Sequence, residues 1–183
     1  MSSFEAQCKT DADRLLESTF ASLRLHYRNE LLRIYGSDYQ LFLNAPQFKG
    51  LDGLALGNID EHIAARILDI EGFDMSTTEQ EELSLVGIAR ALPFTLVSLL
   101  LLEEYHLESL SYFVYTIREE AAMRSVVRSL RQLEISDRCI VASAMRFALV
   151  CYTYFGIGAG SRKDCYMLSA DESVMRLIAM SFK

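Results

Sequence analysis

The chain has 183 residues, 51% of them hydrophobic, and only two prolines. That is enough to bury one compact domain or two small helical lobes, and too apolar for a disordered tract. The net charge of −7 argues against a generally basic nucleic-acid binder, but the charge is uneven. Residues 1–91 carry 8 Lys/Arg against 15 Asp/Glu, whereas residues 92–183 carry 10 of each, so a local basic patch is better placed in the second half.

In chain order, nearly every segment reads as helix. Thr10-Asp11-Ala12-Asp13 can cap the first, with carboxylates at its positive end. Leu16, Phe20, Leu23, Tyr27, Leu31 and Ile34 then recur at helical spacing, and Gly36 offers a stop. Residues 37–44 are expected to form a short helical turn. Residues 45–57, with Pro46, Gly50, Gly53 and Gly57, read as a loop. Asn58 or Asp60 can cap the next helix, whose buried stripe is Ile59, Ile63, Ile67 and Ile70, and Gly72 ends it. Ser76-Thr77-Thr78-Glu79 is a capping box for a helix that Pro93 should kink or break, since proline lacks the amide donor and crowds the preceding turn. Residues 94–105 are apolar nearly all round, as in a buried central helix. Residues 107–133 read as one long helix, and Ser136 or Asp137 caps another running to about Phe155. Residues 156–168 read as a loop, and Ser169-Ala170-Asp171-Glu172 caps a terminal helix. The fold class is therefore an all-α multi-helix bundle. With Pro93 near the midpoint, an acidic N-terminal lobe (1–92) and a C-terminal lobe (93–183) are expected.

Cys8, Cys139, Cys151 and Cys165 lie far apart, as do His26, His62 and His106, so neither a disulfide framework nor a zinc site is predicted. Reduced thiols point to an intracellular compartment. The N-terminus has no apolar signal core, and the longest charge-free run, between Arg146 and Arg162, is shorter than the roughly 20 residues a bilayer span needs. No membrane partner is expected.

Three stretches invite a functional reading. In REEAAMRSVVRSLRQ, residues 118–132, Arg124, Arg128 and Arg131 stand four and three apart and so share one helix face, with Val126, Val127, Leu130 and Leu133 on the other side. This row is either a solvated face in which Arg124 pairs with Glu120, or a phosphate-facing ridge, a role that suits the planar guanidinium fork. One row would bind weakly, and repeating it around an oligomer would multiply the contacts along one RNA. In YFGIGAGSRK, residues 154–163, alternating glycines precede Arg162 and Lys163. The pattern matches neither phosphate-loop motif and reads first as a helix connection whose basic end can extend a nucleic-acid surface. The aromatics Tyr105, Tyr112, Phe113 and Tyr115 precede the arginine row and read by default as core or subunit contacts. Catalysis finds little support. Cys151 lies in an apolar run, and the adjacent glutamate pairs point in different directions on a helix, so the chain is not expected to be an enzyme, to use a cofactor or metal, or to take a small-molecule substrate.

The stretch LVGIARAL, residues 85–92, resembles a segment of the small RNA-silencing suppressors of closteroviruses, plant viruses with long filamentous particles. The likeness in length, helical pattern and apolar content is general. It implies an all-helical viral protein of the host cytoplasm that forms a homo-oligomer, a ring in at least one family member, and sequesters small double-stranded RNA without chemistry. Such a protein would read A-form shape and phosphates more than base sequence. Gly87 would then allow close helix packing, and Arg90 would contact RNA or pair with Glu82. The expected RNA ligands are Arg124, Arg128 and Arg131, with Arg90, Arg138, Arg146, Arg162 and Lys163 as secondary ones. The alternative is an acidic helical interaction or assembly subunit that touches no nucleic acid. The run EEAAMRSVVRSLRQLEISD points faintly that way, since it resembles the last helices of central-stalk subunits of rotary ATPases, a family that is normally much longer.

Overall fold

The computed structural model describes residues 3–41, 49–71, 78–101, 117–118, 120–155 and 172–183, with side chains described for 11–12, 14–41, 49–67, 89–101, 117–118, 120–148, 150 and 172–183. The chain is all-α. The described helices are α1 (Ser3–Tyr35), α2 (Glu61–Glu71), α3 (Thr78–Leu101), α4 (Glu120–Leu130), α5 (Ile135–Phe155) and α6 (Glu172–Ser181), with a single 3-10 turn at Leu56–Asn58. The one long helix expected over 107–133 is not found: residues 117–118 form a turn, α4 spans Glu120–Leu130, and a second turn follows at 131–132, while the helix expected after Ser169 is described as α6. The starts of the capping boxes at Ser76 and Ser169 lie outside the described residues, as do Gly72 and the aromatics Tyr105, Tyr112, Phe113 and Tyr115, and Ile70 falls in α2 with its side chain outside the described ones.

α1 begins at Ser3, earlier than the cap expected at Thr10, and stops where the sequence indicates. Gly36 takes φ +75, and its amide donates to the Leu32 carbonyl at 2.8 Å, so the left-handed glycine closes the last turn. Residues 37–41, the described part of the segment after it, do not form the helical turn expected. Gln40 pairs antiparallel with Ala55. The Leu41 amide donates to the Leu54 carbonyl (3.1 Å), Gly53 N to Leu41 O (3.0 Å), and Leu56 N to Tyr39 O (3.0 Å). Gly50 and Gly53, at φ +89 and +70, provide a return path that side-chain-bearing residues rarely take, and burial of Leu41, Leu51 and Leu56 holds the loop down.

α2 starts on Asp60, whose Oδ1 accepts the Ile63 amide at 2.8 Å. Asp60→Ala should lower stability by about 1 kcal/mol, measured by denaturant unfolding, because that amide loses its partner. A loss indistinguishable from zero would mean water caps the helix equally well.

α3 is the centre of the structure. It packs against α1, α2, α4 and α5, and every residue from Ala91 to Leu100 is buried. Of the kink or break expected at Pro93, the break does not occur: α3, described over Thr78–Leu101, passes through it. An interior proline costs a helix about 3 kcal/mol. A segment buried on all sides holds its helical path against that cost, because leaving it would expose Phe94, Leu96, Val97, Leu99 and Leu100. One hydrophobic cluster takes residues from both sides of Pro93, from Leu31 in α1 to Leu177 in α6.

α1 and α5 are joined by aromatic packing and a charged link. The Phe147 ring lies 5.6 Å from Phe20 and 5.2 Å from Tyr27. Arg33 Nη2 reaches Glu30 Oε2 at 2.9 Å and Asp137 Oδ1 at 2.7 Å. Asp137 thus serves the α1–α5 contact. The inward stripe of α1 loses cover toward its N-terminus. Leu31 is fully buried, Tyr27 and Phe20 are half-buried, and Leu16 and Leu23 are exposed. Leu15 and Leu25, off that stripe, are 68% and 57% exposed.

Candidate nucleic-acid interface

α4 is strongly two-sided. Ala122, Met123, Val126, Val127 and Leu130 are buried, and spacings of three and four leave Glu120, Arg124 and Arg128 on the outer side, with exposed Arg131 just past the last turn. The packing that buries the valines is what aims the arginines outward. Arg124 Nε donates to Glu120 Oε1 at 3.0 Å, the i, i+4 pairing that the spacing allowed. Arg128 makes no hydrogen bond or ion pair with another described residue.

The other oxygen of the same carboxylate, Glu120 Oε2, accepts from Arg176 Nη2 at 2.9 Å. Arg176 lies on α6, which packs against α4, so a guanidinium distant in sequence stands beside Arg124. Sequence reasoning did not select Arg176. The inward positions Val174, Leu177 and Ser181 mark its outward direction, but nothing in a one-dimensional pattern names the helix it would meet. The two arginines hold the Glu120 carboxyl below the usual carboxylate range, chiefly through the Arg124 hydrogen bond and then the Arg176 charge. A depressed folded-state pKa means that the stability from this link is present above the ordinary carboxylate value and lost as pH falls through the lowered one.

The other proposed ligands fall into separate groups. Arg131 Nη2 donates to the Met180 carbonyl at 2.9 Å. Arg138 is more deeply committed. Nη1 donates to Ser181 O at 2.6 Å, and Nη2 to Leu133 O at 2.8 Å and Arg131 O at 3.3 Å. Its Nε is buried without a partner among the described residues. These two side chains satisfy the terminal carbonyls of α6 and of the α4–α5 turn, where a cation also meets the negative helix end. Arg138 is therefore a structural clasp, with both Nη atoms committed to main-chain carbonyls. A pattern of charges gives no warning of this, because the partners are main-chain carbonyls.

Arg90 is exposed on α3, and its main-chain carbonyl accepts the Tyr39 hydroxyl at 2.8 Å. The expected alternative partner Glu82, and the packing of Gly87, lie outside the described side chains. Arg146 is exposed on α5, whose Met145 and Ala148 are buried. Arg162 and Lys163 lie outside the described residues. The arrangement therefore brings Arg124, Arg128, Arg131 and Arg176 to the outer side of α4 and α6, with Arg90 and Arg146 on other helices.

Among the described residues no group of His, Cys, Asp and Glu could hold a metal ion, and no helix is long and apolar enough to cross a membrane. Cys139 is an exposed free thiol, and the side chain of Cys151 lies outside the described residues. Comparison of the chain with family models, curated proteins and solved structures found no match.

Proposed function

We propose that this chain is a non-catalytic viral suppressor of RNA silencing, a homo-oligomer of the host cytoplasm that binds and sequesters small double-stranded RNA. The observation that carries this reading is the exposed row Arg124, Arg128 and Arg131, joined by Arg176 from a second helix through the shared carboxylate of Glu120. The likeness of LVGIARAL to the closterovirus suppressors agrees with it. An acidic protein can carry such a surface because each contact is local and the Debye length at physiological salt is about 8 Å. Guanidinium forks track phosphates without reading bases, which suits capture of duplexes of any sequence. Self-association brings several copies of a small basic surface to one RNA, and a ring is one way to close it. The exposed Leu15 and Leu25 of α1 are apolar contacts available to a second copy.

The test is fluorescence anisotropy with a short labelled RNA duplex at about 0.1 M salt. The double variant Arg124→Ala/Arg128→Ala should bind roughly tenfold or more weakly, since each lost phosphate contact removes a salt-dependent increment of that order. Unchanged binding would remove this surface from the proposal.

A second reading, a helical assembly or interaction subunit, draws on the same exposed leucines and on the use of Arg131 and Arg138 within the fold. It predicts protein that elutes free of RNA, without elevated absorbance at 260 nm, and that does not bind the duplex.

A further inference from the structure

An exposed carboxylate with both oxygens engaged by guanidiniums from two different helices has the form of an occupied oxyanion site. Glu120 Oε1 and Oε2 lie 3.0 and 2.9 Å from Arg124 Nε and Arg176 Nη2. A phosphate group offers paired oxygens of the same kind to the same two forks. We propose that Arg124 and Arg176 form a two-helix clasp for a phosphate of bound RNA, and that Glu120 is its resting occupant, displaced when the RNA phosphate enters. This inference rests on the RNA-binding reading and adds to it a residue, Arg176, and a built-in competitor.

Three features support the exchange. All three side chains are about half or more exposed, so the link is a solvent-screened pair that breaks at little cost. Glu120 is the first residue of α4, where its side chain swings out without disturbing a helical hydrogen bond. Arg176 is fixed from behind by burial of Val174 and Leu177 and by the clasp of Arg131 and Arg138 on the end of α6, so it stays in place when the carboxylate leaves. The carboxylate then suppresses weak binding of stray anions and yields to a polyanion that also engages Arg128.

The experiment compares wild type, Glu120→Gln and Arg176→Ala in two arms. In the first, a short RNA duplex is titrated by anisotropy. Glu120→Gln should bind about 3- to 10-fold more tightly and Arg176→Ala several-fold more weakly. In the second, inorganic phosphate is titrated while the side-chain Nε–H signals of the arginines are followed by NMR, at constant ionic strength held with chloride. The Arg124 and Arg176 signals should move together, and at lower phosphate in Glu120→Gln. If RNA binding falls in Arg124→Ala/Arg128→Ala but is the same in wild type, Glu120→Gln and Arg176→Ala, the clasp is overturned and the RNA reading stands. If no variant binds RNA, the RNA reading fails, and the phosphate arm decides alone. Joint movement of the two signals then supports the clasp as an anion site, and signals that stay with that of Arg33 overturn it.

Discussion

Phe94→Ala should remove about 3–5 kcal/mol of stability, the range for truncating a fully buried phenylalanine in a core that collapses only partly around the hole. Phe94 is fully buried on the central helix α3, and its ring centroid lies 5.6 Å from that of Tyr39. α3 touches α1, α2, α4 and α5, so the cavity opens in the helix around which the others pack. Domains are stable by only about 5–15 kcal/mol, so this variant stands close to unfolding. Thermal denaturation should show a fall in midpoint of roughly 6–20 °C. Phe94→Leu, which retains most of the volume, should lose far less. A loss below about 1 kcal/mol in the alanine variant would mean that α3 is not the organising element.

The second large effect is expected at Arg138. Arg138→Ala should lower stability by about 2–3 kcal/mol, because it deletes charge-assisted hydrogen bonds to Ser181, Leu133 and Arg131 carbonyls that are otherwise orphaned at helix ends. Arg138→Lys should recover only part, since an ammonium cannot reproduce the planar fork that spans Ser181 on one side and Leu133 and Arg131 on the other. The damage should be local first. Hydrogen exchange in α6 should accelerate more than in α3, because the clasp ties the terminal helix to the α4–α5 turn. RNA binding should weaken as well, through the loosening of Arg176 and not through loss of a phosphate contact. The distinguishing readout is Arg138→Ala in the Arg176→Ala background, where the further loss of affinity should be small. Equal protection of α6 in wild type and variant would contradict the clasp.

Much of the helical layout was legible because it depends on local chemistry. The stripe Leu16 to Ile34 and the stop at Gly36 define α1, Asp60 caps α2, and the alternation in AAMRSVVRSL fixes which way Arg124 and Arg128 point. What the sequence did not disclose depends on tertiary partners. Pro93 reads as a kink or break until the burial of Ala91 to Leu100 is known, and the break is the part that does not occur. Residues 37–41 read as a helical turn until the glycines at 50 and 53 bring Leu54 back to Leu41. The sequence names Arg138 as a candidate ligand and passes over Arg176, and it shows the partners of neither. One is spent on carbonyls of the chain's own helix ends, and the other is carried to Glu120 by the docking of α6. The direction of a side chain follows from periodicity, but its partner follows from the fold.

The central claim is that α4 and α6 meet RNA through phosphates. It is tested most directly by the salt dependence of duplex binding, plotted as log Kobs against log salt concentration for wild type and Arg124→Ala/Arg128→Ala. Neutralising each phosphate contributes roughly 0.7–0.9 to the slope. The account predicts a steep negative slope for wild type and one shallower by about 1.5 for each copy that contacts the RNA in the double variant. Equal slopes, or a duplex that does not bind at low salt, would contradict it.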